Sequence, residues 1–158
     1  YYASKGITLN KRTFKKNLGF LLDNGKYNML AQLMSDNSGI PIRFAIFKGK
    51  DKTSTMYSVR EFGNTCLLMS LDKVLEYGGV LNVPQADERE RIVERKEIPL
   101  FDEEAFREAM INAFVHNQWT TGNAPMITAF SDRIEILSRG TIPPGQTMEG
   151  FLRVNLYR

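Results

Sequence analysis

A single cysteine, Cys66, leaves no partner for an internal disulfide, and a single histidine, His116, is too few for a zinc site built from His and Cys. No run approaches the roughly 20 uninterrupted apolar residues of a membrane helix. The opening Tyr1-Tyr2-Ala3-Ser4-Lys5 has neither the charged flank nor the apolar stretch of a signal peptide. The expectation is therefore a protein of the cytoplasm with no membrane partner. A Walker A lysine motif is also missing, so no helicase motor of that type is encoded. The first 22 residues contain no acid but hold Lys5, Lys11, Arg12, Lys15 and Lys16, so the net +3 of the chain leaves −2 for the remainder. Lys11, Arg12, Lys15 and Lys16 can make weak, sequence-independent contacts to DNA phosphates, or can simply form a solvated helix face.

The 158 residues, 42% apolar and 25% charged, are enough for one globular domain or two small subdomains with a real core. Residues 13–22 space Phe14, Leu18 and Leu22 as a helix does, up to the turn signal Asp23-Asn24-Gly25. The short apolar runs 29–34 and 42–47 read as two neighbouring strands. From about residue 63 to 77, Leu67, Leu68, Leu71, Val74 and Leu75 recur at helical steps, and Gly78-Gly79 reads as the stop. The charge-dense stretch 87–97 reads as a solvated edge.

Asp102, followed by Glu103 and Glu104, is a good N-cap for a helix running to about Asn117. Phe106, Ala109, Met110, Ala113 and Phe114 form its apolar stripe. Residues 126–130 and 133–137 flank Ser131-Asp132 and read as a hairpin. The fold class expected is α/β in the broad α+β sense, a mixed sheet with helices packed on it.

The other flank of the 102–117 helix carries Glu104, Glu108, Asn112 and His116 at i, i+4 steps, which places them in one row. A Glu, an Asn and a His so arranged can hold a metal and polarise a water, or can be plain surface residues. His116 also suits the C-terminal end of a helix as a capping or packing residue. Trp119 is expected to pack beneath that end.

EEAFREAMINAFVHNQW followed by FSDRIEILSRGTIPPG resembles the closing half of the divergent ATPase-like domain of RecG-related proteins. LLDNGKYNMLAQLMSD, IRFAIFKGKDK, VREF and ERKEIP resemble the preceding region of the same family, so the resemblance spans nearly the whole chain. These proteins are regarded as helicase-related or as transcriptional regulators. They usually carry an AlbA-type DNA-binding domain, which implies DNA contact through regions outside this chain, and homodimerisation is a further expectation.

The family is distantly related to the GHKL ATPases, the group of gyrase, histidine kinases and MutL. The resemblance implies a division into an N-terminal α/β subdomain, 1–97, and a partial GHKL-like ATPase subdomain, 98–158, that ends before the glycine-rich lid; the missing initiator methionine suits a chain cut from something longer. It also implies ATP and Mg²⁺ as cofactors. Glu108 would be the general base, Asn112 the Mg²⁺ ligand, and His116, Ser138, Arg139 and Gly140 further nucleotide-binding positions. The loop departs from the family pattern: where Asp-X-Gly-X-Gly is expected, the chain reads Leu137-Ser138-Arg139-Gly140-Thr141, without the acid that would accept a hydrogen bond from adenine. The other reading is a non-catalytic scaffold or dimerisation unit of a DNA-binding regulator.

Overall fold

The computed structural model describes residues 1–82, 85–86 and 97–141 and the single positions 145, 147 and 149. It has an α+β architecture: short helices α1 (Phe14–Asn17) and α2 (Met29–Leu33), strands β1 (Arg43–Phe47) and β2 (Met56–Glu61), helix α3 (Leu67–Leu81), the short pair β3 (Gln85–Ala86) and β4 (Glu97–Ile98), helix α4 (Glu103–Val115), and strands β5 (Met126–Ala129) and β6 (Ile134–Leu137). Four strands form one mixed sheet in the order β2-β1-β5-β6. β1 runs parallel to β5, with Phe44 opposite Ile127, while the two outer strands are antiparallel to their neighbours. The sheet and its core draw on residues from both sides of position 97.

One face of the sheet is covered. Phe44 and Ile127 are buried from the middle strands, and Val74 of α3 with Phe106, Met110 and Phe114 of α4 close over them. Each such side chain contributes roughly 1.5–3 kcal/mol by leaving water. The opposite face exposes Val59, Met126 and Leu137.

Three sequence expectations change here. Residues 29–34 are a helix, not a strand: the Asn28 side chain accepts the Ala31 N–H at 3.0 Å and caps α2, and a short apolar run cannot by itself separate the two states. The neighbours of β1 are instead β5 and β2, and the exposed Met56, Tyr57 and Val59 of β2 give no buried face to read from the sequence. The first helix ends at Asn17, because Gly19 takes a left-handed φ of 67° and turns the chain away.

Gly78-Gly79 does not stop α3, which runs on to Leu81. A Cβ at Gly78 would stand 2.3 Å from the Phe106 ring, so this glycine is the contact point at which α3 and α4 approach. The hairpin is as expected at its turn, where Phe130 N–H bonds the Arg133 carbonyl at 2.8 Å, and its strands are one residue shorter on each side. The stretch 87–96 and positions 142–144 lie outside the described residues.

Candidate functional site

The Asp102 side chain accepts the Ala105 N–H at 2.7 Å, and Glu103 and Glu104 occupy the first turn of α4, where the helix dipole favours acids. Phe106, Met110, Ala113 and Phe114 are buried against α3 and the sheet. Ala109 is exposed, so the apolar stripe is narrower than the sequence suggests. With that face fixed, the row Glu104, Glu108, Asn112 and His116 looks outward, and all four residues are exposed. None of these four side chains has a hydrogen bond or ion pair within the described residues.

His116 follows α4 as its C-terminal cap; its backbone N–H bonds the Asn112 carbonyl at 3.0 Å while the residue remains exposed. The chain then turns sharply. Trp119 is buried under the helix end, its Nε1–H donating to the Phe114 carbonyl at 3.0 Å and its ring edge-on to Phe114. Far along the sequence, the segment after β6 returns to the same place. Arg139 N–H donates to Asn117 Oδ1 at 3.0 Å, Gln118 N–H donates to the Arg139 carbonyl, and a Cβ on Gly140 would be 3.4 Å from the His116 carbonyl oxygen.

The structure thus brings the His116–Gln118 turn together with Arg139 and Gly140 at the end of α4, and half-buried Ser138 immediately precedes them. Asn112 and Glu108 lie one and two steps of four residues back along the helix, at about 6 Å per step. They form a ridge and line none of the cavities described below. Among the described residues no group of three or more His, Cys, Asp or Glu is placed to hold a metal. A Mg²⁺ bound mainly through phosphate and water needs fewer protein ligands, and the Asn112 carboxamide is free to be one. The Ser138 side chain offers a neutral hydroxyl and not a carboxylate, a weaker acceptor for an amino group.

Sequence reasoning passed over Asn117 and two cavities. Asn117 is buried, with a clue only in its position between a helix end and the turn-forming Gly122-Asn123. One cavity, about 230 Å³, lies between Ile46, Leu81, Phe101, Phe130 and Arg133. The Arg133 guanidinium at its rim is already engaged by Asp132, Glu135 and the Lys50 carbonyl. The second, about 320 Å³, is an apolar groove between α2, α3, the second half of α4 and Trp119, opening beside Leu30, Ile111 and Val115. Both combine residues from distant parts of the chain, which no local pattern announces.

The basic N-terminal segment stays at the surface, with Lys11, Arg12, Lys15 and Lys16 all exposed. Lys5 is paired with Asp72 at 2.9 Å, and Lys15 hydrogen-bonds the Tyr27 hydroxyl. Among the described residues, no helix is long and apolar enough to cross a membrane.

No family model matches the chain, and no curated protein matches it. Among solved structures, the DIP2311 protein from Corynebacterium diphtheriae is similar with a TM-score of 0.62 and 20% sequence identity, over 94% of this chain. The chain spans 29% of the length of that protein. At this identity the likeness concerns the fold alone.

Proposed function

We propose that the chain is a divergent ATP- and Mg²⁺-binding module of a cytoplasmic, RecG-related, DNA-linked transcriptional regulator, with its site on the outward ridge of α4. The observation that carries the reading is the pairing of exposed Glu108 and Asn112, four residues apart on a helix whose C-terminal end is met by the Ser138-Arg139-Gly140 segment. The order of parts supports it: a helix bearing the Glu-Asn pair packs on a mixed sheet, a hairpin follows, and the chain then returns to the helix end. ATP with Mg²⁺ supplies an activated phosphoryl group when bound. Glu108 would accept the proton of an attacking water, Asn112 would offer its side-chain oxygen to the metal, and Arg139 and His116 would supply donors for the phosphates. Exposed Lys11, Arg12, Lys15 and Lys16 add a weak, salt-sensitive contact to DNA, while the main DNA contacts belong to regions outside this chain.

A second reading, a scaffold or dimerisation unit, is favoured by the exposed apolar residues Val59, Met126 and Leu137 on the uncovered face of the sheet and by the missing loop carboxylate. Titration of the full chain with a labelled ATP analogue, with and without Mg²⁺, separates the two. Under the nucleotide reading, Asn112→Ala abolishes saturable Mg²⁺-dependent binding, whereas Glu108→Gln keeps binding and loses any hydrolysis. Binding that persists unchanged in Asn112→Ala rules out the site assignment. An absence of binding in the unmodified chain leaves the scaffold reading standing.

A further inference from the structure

A buried carboxamide is costly unless both its oxygen and its NH₂ group find partners. Asn117, 6% exposed, finds them in two different segments: its Nδ2 donates to the Asn123 carbonyl at 2.7 Å, and its Oδ1 accepts the Arg139 N–H at 3.0 Å, across 22 positions of sequence. The next residue completes the grip, since Gln118 N–H donates to the Arg139 carbonyl. Both backbone polar groups of Arg139 are therefore taken up by consecutive residues at the end of α4. The Arg139 side chain is left exposed and without an ion pair among the described residues.

We infer that Asn117 is the positioning residue of the ridge site: it docks the segment after β6 on the end of α4, so that the backbone of Arg139 and Gly140 is held beside His116 before any ligand arrives. The inference rests on the nucleotide reading for the identity of the ligand. Its physical content is preorganisation. A loop already fixed by two hydrogen bonds loses less entropy on binding than one that must be ordered by the ligand. Asn117 itself touches no ligand. Its carboxamide is consumed by Asn123 and Arg139, which distinguishes its role from that of Asn112.

Asn117→Ala removes both side-chain bonds. Asn117→Asp, nearly the same shape, keeps an acceptor for Arg139 N–H but sets an oxygen against the Asn123 carbonyl where the NH₂ group stood and buries a carboxyl, so it carries a general cost of its own. Amide hydrogen exchange on the full chain without nucleotide, followed by titration with a fluorescent non-hydrolysable ATP analogue and Mg²⁺, reads the two consequences separately. In Asn117→Ala, the Arg139 amide exchanges about tenfold faster or more, and the analogue binds about tenfold more weakly. In Asn117→Asp the Arg139 amide, taken relative to the amides of β1 and α3, exchanges more slowly than in Asn117→Ala, because an acceptor for its N–H survives. Amides of β1 and α3 serve as the internal reference, so that a general loss of stability, which would speed all of them together, is told apart from undocking.

Arg139 protection that is unchanged in Asn117→Ala overturns the positioning role. So does undiminished nucleotide binding when Arg139 is undocked, or an Asp variant that, relative to the amides of β1 and α3, protects Arg139 no better than the Ala variant. No Mg²⁺-dependent binding by the unmodified chain overturns the nucleotide reading and the inferred role with it. That outcome is distinguishable because the exchange rates are measured in the absence of nucleotide.

Discussion

Residues 13–22 and 102–117 both space apolar side chains three and four apart, yet the first yields the single turn Phe14–Asn17 and the second the 13-residue helix Glu103–Val115. The difference lies in what the apolar side chains meet. Phe14 has one aromatic neighbour, Phe20, at 6.5 Å, and no residue before Leu33 is buried. Met110 is fully buried, flanked by Phe106 and Phe114 and facing Val74 and Ile127. A short helix in water is marginal because nucleation costs more than a few hydrogen bonds return, so it persists where tertiary packing holds one face. The same periodicity therefore means a core helix in one place and a surface turn in the other.

The largest expected effect that would test this contrast comes from truncating both. Met110→Ala should lower the unfolding free energy by roughly 2–5 kcal/mol, because it leaves a cavity in a closed core. Phe14→Ala should cost about 1 kcal/mol or less, since little of its surroundings depends on it. Chemical denaturation of both variants measures the two costs, and equal losses would break the distinction drawn between the regions.

The paired glycines of α3 sharpen it further. Gly78→Ala forces a methyl group into the Phe106 ring and should destabilise by about 1–3 kcal/mol as α3 and α4 move apart. Gly79 has open space at the same distance, with nothing within 4 Å of an added Cβ. Gly79→Ala should therefore stabilise by about 0.5–1 kcal/mol through helix propensity alone. Thermal melts that shift in the same direction for both would remove the contact assigned to Gly78.

The smallest effect concerns the loop between β1 and β2. The Thr53 hydroxyl, with the Thr53 N–H, holds the Asp51 carboxyl below its ordinary range by bonding to its charged form. A carboxylate depressed in the folded state contributes its stability above the unfolded value, and that contribution is lost as pH falls through the folded value. In a titration followed by NMR, Asp51 should therefore titrate below the usual Asp value, and Thr53→Ala should move its midpoint upward. A midpoint at or above the ordinary value in the unmodified chain would show that the loop is not held this way. Because Asp51 is exposed, its effect on the melting of the whole chain should be slight.

Local features of the fold are legible in the sequence. Asp102 with Glu103 and Glu104 announces the start of α4, and Ser131-Asp132 between two apolar runs announces the hairpin, because caps and tight turns are decided by residues next to one another. The outward row of Glu104, Glu108, Asn112 and His116 follows from helix geometry and survives in the structure. Elsewhere the local signal is ambiguous. The run at 29–34 is too short to tell strand from helix without weighing Asn28 as a cap. β2 buries too little of either face to leave an alternation. Ala109 sits at the margin of the stripe, where the shape of the neighbouring elements decides which side is covered.

By itself, then, the sequence determined that there are two long helices and a hairpin, the spacing of Glu108 and Asn112, and the exclusion of a disulfide or a His/Cys zinc site within these 158 residues, all of which depend on neighbours along the chain or on composition. Only the tertiary structure decided that β1 pairs with β5, that Gly78 is a helix contact and not a stop, and that Arg139 returns to the end of α4 through Asn117. Those outcomes depend on which distant surfaces exclude water from one another and which buried polar atoms find partners, and neither condition leaves a periodic trace in the residues that meet it.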